Sequence, residues 1–243
     1  MEAESGSKNR IKEGVGKMNK DELSTHKPSS QSTQSISLVV PLYNEEATIG
    51  ELTEKLNQYF FKLGITYEII LVESGSTDRS GVVCDELSKK YPSVKVIHEG
   101  ARNGYGSGIR TGWSQAHYEI MTYVDSDSPC SLDYYTQALE LLKNTEVDVV
   151  LGYRVGGREN FTRWFFSKGY NWLTKVMFGL YGIKDVNFTF KLFRKEMYNK
   201  INLQSKGWFI DVELLAELKK QKARWEQLPV NYTPRTKGSS TVK

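Results

Sequence analysis

The chain of 243 residues contains little cysteine and histidine, and this scarcity excludes several classes of protein. Its two cysteines, Cys84 and Cys130, form neither a disulfide framework nor a pair with metal-ligand spacing. Its three histidines are far apart in the sequence and predict no zinc site. We therefore expect a protein of a reducing, cytosolic compartment.

Long apolar runs are also missing. No uninterrupted apolar stretch approaches the roughly 18–20 residues that a membrane span requires. The first residues carry no apolar run of the kind found in a signal peptide. Residues 1–35 are rich in Lys, Glu, Ser, Gln and Gly, which predicts a disordered tail before one folded domain at 36–243. We expect such a protein to contact a membrane only peripherally, without spanning it.

The net charge of +4 is unevenly distributed along the chain. Residues 154–195 contain nine basic residues and only Glu159 and Asp185 as acidic ones, so this segment alone carries +7. Such a segment suits phosphate groups or an anionic membrane surface. We expect no nucleic-acid partner, because the charges are mixed with Trp, Phe and Leu and no nucleic-acid-binding motif is present.

Short apolar, β-branched runs alternate with segments of helical periodicity. The runs predict strands at 36–40, 67–72, 94–97, 147–151, 188–193 and 225–230, and another that begins at residue 120. Asn44 is expected to cap the first helix, and Gly64 to end it. This rhythm predicts an α/β domain with a mostly parallel, Rossmann-like sheet flanked by helices.

Polar side chains follow three of the predicted strands, at the carboxyl ends where parallel sheets bind ligands. They lie in residues 41–45, 73–75 and 125–127, and we expect them to meet at one edge of the sheet. Asp125 and Asp127 share one side of an extended chain, about 6–7 Å apart between Cα atoms. Two carboxylates without Cys or His beside them suit Mg²⁺ or Mn²⁺. The alternative is a solvated turn.

A glycine-rich turn opens one of the predicted helices. Gly104, Gly106 and Gly108 would let backbone amides approach a diphosphate at the helix start. Arg110, one turn later, could reach the same ligand. The alternative is close packing of this helix on the sheet, with Arg110 in solvent, and the residues alone leave both interpretations open.

An aromatic and basic segment occupies residues 161–181. The spacing typical of a core helix is present at Phe165, Trp172, Leu173, Val176 and Leu180. Further aromatic and basic residues lie on the other faces, so the segment has more apolar surface than one helix-to-sheet contact needs. We predict that it contacts a membrane surface. A membrane subunit or a second copy of the chain is the next alternative, and a core helix is the third.

Seven groups of short motifs follow one another between residue 36 and the end of the chain. They are VVPLYNEE at 39–46, GSTD at 75–78, NGYG at 103–106 with RTG at 110–112, DSD at 125–127, GYR at 152–154, FKLFR at 190–194 and WFIDVE at 208–213. In this order and spacing they resemble the family-two glycosyltransferases of the GT-A fold. Within that family the chain looks most like the dolichol-phosphate mannosyltransferase group of polyprenyl-phosphate sugar transferases.

The resemblance implies a nucleotide-binding half at 36–127 and an acceptor half at 128–243. Pro41, Tyr43 and Glu45 would line the nucleotide base and ribose. Asp125 and Asp127 would hold the sugar-nucleotide diphosphate through a divalent metal.

The resemblance also implies roles in the acceptor half. Arg154 would lie near the reacting phosphates, and Lys191 and Arg194 would meet the acceptor's phosphate. Asp211 would lie close to the acceptor, and it is our candidate base should the acceptor be a hydroxyl group.

Three departures from the family pattern affect these expectations. The second strand of family members usually ends in two aspartates, one of which recognises the base, but here the pair is Glu73-Ser74. Pro129 stands where the mannosyl-phosphate group often has Gln. The stretch 185–191 also differs from the family's. The donor is therefore left open between GDP- and UDP-sugars.

We expect an inverting, Mg²⁺- or Mn²⁺-dependent transferase that moves a sugar from a nucleotide diphosphate to a polyprenyl phosphate, peripheral at the cytosolic face of a membrane. One alternative is a glycosyltransferase that acts on a hydroxyl group of a glycan or glycolipid. A nucleotidyltransferase would need a glycine-rich signature after the first strand, which the sequence lacks. The last alternative is a non-catalytic nucleotide-sugar-binding subunit, which only Ser74 favours.

Overall fold

The computed structural model describes residues 34–126, 130–144, 146–156 and 161–231, and of residues 161–166 the backbone only. Residues 1–33, most of the predicted disordered tail, lie outside this part. Within it the strands are β1 (Ser35–Leu42), β2 (Thr66–Glu73), β3 (Val94–His98), β4 (Ile120–Tyr123), β5 (Val149–Val155), β6 (Lys191–Arg194) and β7 (Trp225–Asn231). The helices are α1 (Ile49–Leu63), α2 (Ser80–Lys90), α3 (Tyr105–Ser114), α4 (Asp133–Lys143), α5 (Phe161–Phe178), α6 (Lys195–Tyr198) and α7 (Ile210–Lys220).

The strands form one sheet with the order β3-β2-β1-β4-β6-β5-β7. β6 runs antiparallel to β4 and β5, whereas the other neighbours are parallel. β1, β2, β3, β4 and β5 therefore all end at the same edge of the sheet, which we call the carboxyl edge. The predicted α/β fold with a mostly parallel sheet between helices is confirmed.

The central strand β1 is buried on both faces. Leu38 and Val40 belong to the apolar layer under α1, α2 and α4. Val39 points to the other layer, where it packs with Ile109 and Trp113 of α3. A strand covered on both faces needs a nearly continuous apolar sequence, which is why this segment shows no polar alternation.

The first helix begins later than the sequence predicts. Asn44 has a φ of 55°, and its side chain contacts the next loop instead of capping α1. Asn44 Oδ1 accepts a hydrogen bond from Thr77 N (2.8 Å) and Nδ2 donates to Thr77 Oγ1 (3.1 Å). α1 follows Thr48, so the prediction that Asn44 caps it is wrong. Gly64, with a φ of 69°, ends the helix as predicted.

Helix α5 presents polar residues to the protein and apolar residues to solvent. Asn171 and Thr174 are buried, and Asn171 Oδ1 accepts a hydrogen bond from Val186 N (2.8 Å). Trp172 is 67% exposed and Met177 is 66% exposed. This polarity is the reverse of that expected for a helix that only covers a core.

The exposed apolar face of α5 continues onto the segment before α7, because the rings of Phe178 and Phe209 lie 5.5 Å apart. We call the combined area the aromatic surface, and it consists of Tyr170, Trp172, Leu173, Val176, Met177, Tyr181, Trp208 and Phe209. Of the residues with core-helix spacing, Leu180 is buried but Trp172, Leu173 and Val176 are not, and the side chain of Phe165 lies outside the described part. No helix among the described residues is both long and apolar enough to cross a bilayer.

Candidate active site

Asp125 lies two residues beyond β4 at the carboxyl edge, where Tyr105 at the start of α3 contacts it. The Tyr105 hydroxyl donates a hydrogen bond to Asp125 Oδ1. Burial, and then the adjacent carboxylate of Asp125, raise the pKa of Tyr105 well above its usual value. The phenol therefore stays protonated and keeps its hydrogen for Asp125. Asp127, the second predicted metal ligand, lies outside the described residues.

Two aromatic rings hold Tyr105 in place. Trp208 stacks on it with 4.1 Å between ring centroids and 21° between ring planes. Tyr123 meets it edge-on at 6.4 Å. Trp208 is 56% exposed and belongs to the aromatic surface. Asp125 is thus connected to that surface through one hydrogen bond and one ring stack.

Tyr123 also joins a buried ion pair. Lys191 Nζ lies 2.6 Å from Asp211 Oδ1, and the side chains are 1% and 6% exposed. The Tyr123 hydroxyl donates to the same Oδ1, and Lys191 Nζ donates to the carbonyl oxygen of Phe188. Both predicted residues lie at the carboxyl edge, but they bind each other. The charge of Lys191 is therefore already compensated within the protein.

Arg154 lies near the carboxyl end of β5, at the same edge as Asp125. Its Nε donates to Asp185 Oδ2 (2.8 Å), and its Nη2 donates to Ser167 Oγ of α5 (3.3 Å). Burial acts to raise the pKa of Asp185, but Arg154 outweighs that effect and the pKa lies below its usual value. Through these hydrogen bonds, Arg154 links the residues around Asp185 to both β5 and α5.

Arg194 is not brought to this site, which corrects the expected contact with an acceptor phosphate. Because β6 is antiparallel to β4, Arg194 pairs with Ile120 at the opposite edge of the sheet. A four-residue strand places it about 10 Å from Lys191. Its Nη2 donates to the Leu142 carbonyl (2.6 Å) and its Nε to the Val147 carbonyl (3.0 Å). Arg194 closes the end of α4 and has a structural role.

The glycine-rich turn packs against the chain before α7. Backbone oxygens of Ser205 and Gly207 lie 2.7 and 2.6 Å from the position that a Cβ of Gly106 would occupy. Arg110 Nη1 donates to the Gln204 carbonyl (2.9 Å) in the same segment. These contacts favour the packing interpretation of the glycines. They also show that Arg110 holds the segment that leads to Trp208.

Pro41 lies at the end of β1, and Tyr43 and Glu45 lie in the loop after it. The guanidinium of Arg102 lies 4.3 Å from the centroid of the half-buried Tyr43 ring. Glu45 is buried, and its Oε2 accepts a hydrogen bond from Thr48 Oγ1 (2.7 Å). Glu45 therefore supports the start of α1, whereas Tyr43 and Arg102 offer flat surfaces at the carboxyl edge.

Glu73, at the end of β2, is engaged in its own turn. Its Oε1 accepts a hydrogen bond from Ser76 N, and its Oε2 lies 3.0 Å from His98 Nδ1. The other ring nitrogen of His98 lies 3.1 Å from Asp85 Oδ1. Burial acts to raise the pKa of Glu73, but the bonds from Ser76 and His98 lower it below its usual value.

Ser74 is buried beside a carboxylate that the sequence did not single out. Its Oγ donates to Glu99 Oε2 (2.6 Å), and Thr111 Oγ1 donates to Glu99 Oε1 (2.7 Å). Sequence reasoning missed Glu99, although it directly follows β3, whose carboxyl end meets this edge. It also missed Arg102, and it named Tyr105 and Trp208 only as members of motifs, without a role, because their partners are distant in sequence.

The oxygen ligands at this edge fit a divalent cation whose coordination is completed by phosphate oxygens of the substrate. Among the described residues, no group of three or more His, Cys, Asp and Glu could hold a metal by itself. Mg²⁺ commonly takes only one or two carboxylates when a diphosphate supplies further oxygens. Asp125 supplies hard carboxylate oxygens that the Tyr105 hydroxyl orients, and such oxygens fit Mg²⁺ or Mn²⁺.

The sequence motifs, the fold and this edge agree with one protein family. Residues 37–217 match the family model described as Glycosyl transferase family 2. The chain belongs to this family. A solved structure with a similar fold is glucosyl-3-phosphoglycerate synthase from Mycobacterium tuberculosis, in complex with Mn²⁺, UDP and glucosyl-3-phosphoglycerate. The TM-score is 0.64 at 20% sequence identity, over 84% of this chain and 73% of that one. The predicted GT-A glycosyltransferase fold is confirmed.

Two relatives of this family-2 glycosyltransferase carry lipid-phosphate names. The chain is 29% identical over 212 residues to a dolichyl-phosphate beta-glucosyltransferase of Trichomonas vaginalis, and the alignment covers 81% of this chain and 65% of the relative. It is 30% identical over 214 residues to a dolichol-phosphate mannosyltransferase of Pyrococcus furiosus, covering 86% of this chain and 59% of the relative. The chain thus spans less than two thirds of the length of either relative.

Proposed function

We propose that this chain transfers a sugar from a GDP- or UDP-sugar to a polyprenyl phosphate of the dolichyl type, with inversion at the anomeric carbon. The observation that carries the proposal is the continuity between Asp125 and the aromatic surface through Tyr105 and Trp208. An acceptor with a lipid tail and a phosphate head needs an apolar surface beside a phosphate-binding edge. The names of the two relatives support the same acceptor.

On the donor side, Pro41 and Tyr43 line the nucleotide, and Asp125 with Asp127 would hold a Mg²⁺ or Mn²⁺ ion. The ion, when bound, supplies positive charge to the leaving diphosphate. Tyr105 fixes the orientation of Asp125, so the carboxylate needs little reorganisation during the reaction. Arg154, whose charge is balanced by Asp185, would lie beside the reacting phosphates at the same edge.

On the acceptor side, the buried pair of Lys191 and Asp211 favours a phosphate over a hydroxyl group. A hydroxyl acceptor needs a general base, and Asp211, the candidate, is buried with Oδ1 bonded to Lys191 and Tyr123. A phosphate is already an anion at neutral pH and needs no base. We therefore assign Asp211 and Lys191 to positioning the site beside the acceptor, and direct displacement then inverts the anomeric centre.

The aromatic surface is proposed to bind an anionic membrane surface at its cytosolic face. Trp172, Met177 and Tyr181 are each at least 66% exposed, and the exposed side chains of Lys168 and Lys184 lie close to them in the chain. Exposed aromatic residues among basic ones are typical of interfacial helices. A membrane subunit or a second copy of the chain, covering the same surface, is the alternative partner.

An acceptor comparison tests this function. The protein is incubated with Mg²⁺ or Mn²⁺, labelled UDP- and GDP-sugars, and either a polyprenyl phosphate, the matching polyprenol or a glycolipid hydroxyl acceptor. We expect lipid-extractable label only with the polyprenyl phosphate. Label on a hydroxyl acceptor alone would support the glycan or glycolipid alternative. Nucleotide binding without transfer to any acceptor would support a non-catalytic subunit.

A further inference from the structure

The carboxylate of Glu99 is held by two neutral hydroxyl groups at the carboxyl edge. Ser74 Oγ donates to its Oε2 and Thr111 Oγ1 donates to its Oε1, at 2.6 and 2.7 Å. Within the described part of the chain, no lysine or arginine forms an ion pair with Glu99. Each oxygen of an ionised carboxylate can accept about two hydrogen bonds. Glu99 therefore keeps the capacity to accept a further hydrogen bond at each oxygen.

Neighbouring carboxylates are engaged in the fold in a different way. Glu73 binds its own turn and His98. Asp78 accepts hydrogen bonds from Ser80 N and Ser80 Oγ at the start of α2. Glu99, by contrast, is partly exposed, and its partners orient the carboxylate without neutralising it. This combination suits a group that meets a ligand.

The backbone around Glu99 is firmly placed. Glu99 N donates to the Glu73 carbonyl (2.9 Å). Gly75 has a φ of +66°, and a Cβ there would lie 2.8 Å from Ala101 Cα, so the loops after β2 and β3 touch directly. Arg102, from the same loop as Glu99, lies over the Tyr43 ring. The loop that carries the oriented carboxylate thus also places a guanidinium on a flat ring, and such flat groups suit a planar base.

We propose that Glu99 accepts a hydrogen bond from the N–H edge of the donor's nucleotide base, with Ser74 and Thr111 as positioning residues. The inference rests on the proposed function, because it names the base recognition of that site. A carboxylate only accepts hydrogen bonds. Uracil and guanine present a ring N–H, whereas cytosine and adenine present a bare ring nitrogen there. Glu99 therefore selects UDP or GDP against CDP or ADP.

Isothermal titration of UDP, CDP, GDP and ADP in the presence of Mg²⁺ tests this inference without requiring catalysis. We expect wild type to bind UDP over CDP, or GDP over ADP, by about tenfold or more, and the stronger of UDP and GDP identifies the base. Glu99→Gln should abolish most of that preference, because an amide can donate as well as accept. Glu140→Gln is the matched control, since Glu140 is exposed on α4 and pairs only with Lys143 among the contacts of the described residues.

The result that overturns the inference is a Glu99→Gln variant that keeps the wild-type preference. If wild type binds none of the four nucleotides, the proposed function fails instead. A methylated analogue needs no variant: N3-methyl-UDP, or N1-methyl-GDP, should bind wild type at least about tenfold more weakly than the parent nucleotide. Equal binding of parent and analogue also overturns the inference.

A double variant exchanges the carboxylate of Glu99 and the hydroxyl group of Ser74 between the two positions. Ser74 Oγ lies 2.6 Å from Glu99 Oε2, so Ser74→Asp alone places a second carboxylate against Glu99, and two like charges in contact should weaken nucleotide binding. Ser74→Asp combined with Glu99→Ser should restore the preference for UDP or GDP. A double variant that folds, binds nucleotide and shows no preference contradicts the assigned chemistry.

Discussion

Lys191 and Asp211 bind each other across β6 and α7, with 2.6 Å between Nζ and Oδ1 and both side chains buried. Neither charge is available to solvent, and the phenol of Tyr123 completes the group. The buried pair stabilises the carboxyl edge from the interior of the protein. Removal of one member would leave the other charge buried without its partner.

Lys191→Met should therefore destabilise the protein by about 3–5 kcal/mol, because the Asp211 carboxylate loses its counter-charge. Chemical denaturation of the purified variant measures this effect. Lys191→Met combined with Asp211→Leu should recover most of the lost free energy of unfolding. A single variant as stable as wild type would mean that the pair contributes little to the fold.

Tyr105→Phe should weaken metal binding while preserving the fold. The change removes the hydroxyl that orients Asp125, and losses of such supporting bonds cost about 10–100-fold in metal affinity. Mn²⁺ titration in the presence of the preferred nucleotide measures the shift. Tyr59→Phe, which removes a hydroxyl bonded to Thr136 away from the site, should leave metal affinity unchanged. Equal shifts in both variants would contradict the role of Tyr105.

Asp125→Ala and Asp127→Ala should each abolish transfer without unfolding the protein. EDTA should stop the wild-type reaction, and added Mn²⁺ or Mg²⁺ should restore it, because the carboxylates would hold the cation that binds the diphosphate. Circular dichroism of the variants checks the fold. Full turnover by a metal-free sample would contradict the assignment of Asp125 and Asp127 as metal ligands.

His98 should make stability depend on pH. Its bonds to Glu73 and then Asp85 raise its pKa above the usual value. A raised pKa in the folded state stabilises the protein below the unfolded pKa, about 6.5, and the contribution disappears as pH rises through the folded value. The difference in free energy of unfolding between wild type and His98→Gln should thus be largest in mild acid and shrink above neutrality. A difference that grows with pH would contradict the assigned contacts.

The aromatic surface should bind anionic liposomes in a salt-sensitive way. Each basic residue near such a surface contributes on the order of 1 kcal/mol, and each apolar side chain that leaves water completely adds roughly 1.5–3 kcal/mol. Trp172→Ala with Met177→Ala should reduce sedimentation with liposomes while sparing transfer to a short, water-soluble isoprenyl phosphate. Phe61→Ala is the control, because Phe61 is 76% exposed on α1, outside this surface. No sedimentation at low salt would favour a subunit or a second copy as the partner.

The fold was predictable because strong local patterns agree with it. Apolar runs such as 36–40 mark strands buried on both faces, and Gly64 ends α1 in the left-handed conformation that the sequence suggests. The local sequence pattern gave a wrong prediction at Asn44, whose side chain forms hydrogen bonds with a loop 33 residues away instead of capping α1. For α5 the helical periodicity reveals an apolar face without telling whether protein or solvent covers it, and the exposed Trp172 and Met177 agree with the predicted excess of apolar surface.

The site was predictable only in outline. The described residues of the three polar clusters do lie at one edge, because parallel strands end together. The antiparallel direction of β6 puts Lys191 at the carboxyl edge and Arg194 at the opposite edge, and a four-residue strand carries no sequence signal for its direction. Glu99, Tyr105 and Trp208 gain their roles from Ser74, Asp125 and each other, and such contacts between distant residues exist only in the folded chain.

Transfer of labelled sugar to a polyprenyl phosphate tests the central claim most directly. Wild type is mixed with Mn²⁺, the nucleotide sugar that it binds best and the lipid phosphate, and the label in the organic extract is counted against time. We predict steady transfer by wild type, loss of transfer with Asp125→Ala, and a product whose anomeric configuration is the opposite of the donor's. Wild-type protein that binds the nucleotide and metal yet moves no label to the lipid phosphate would contradict the account.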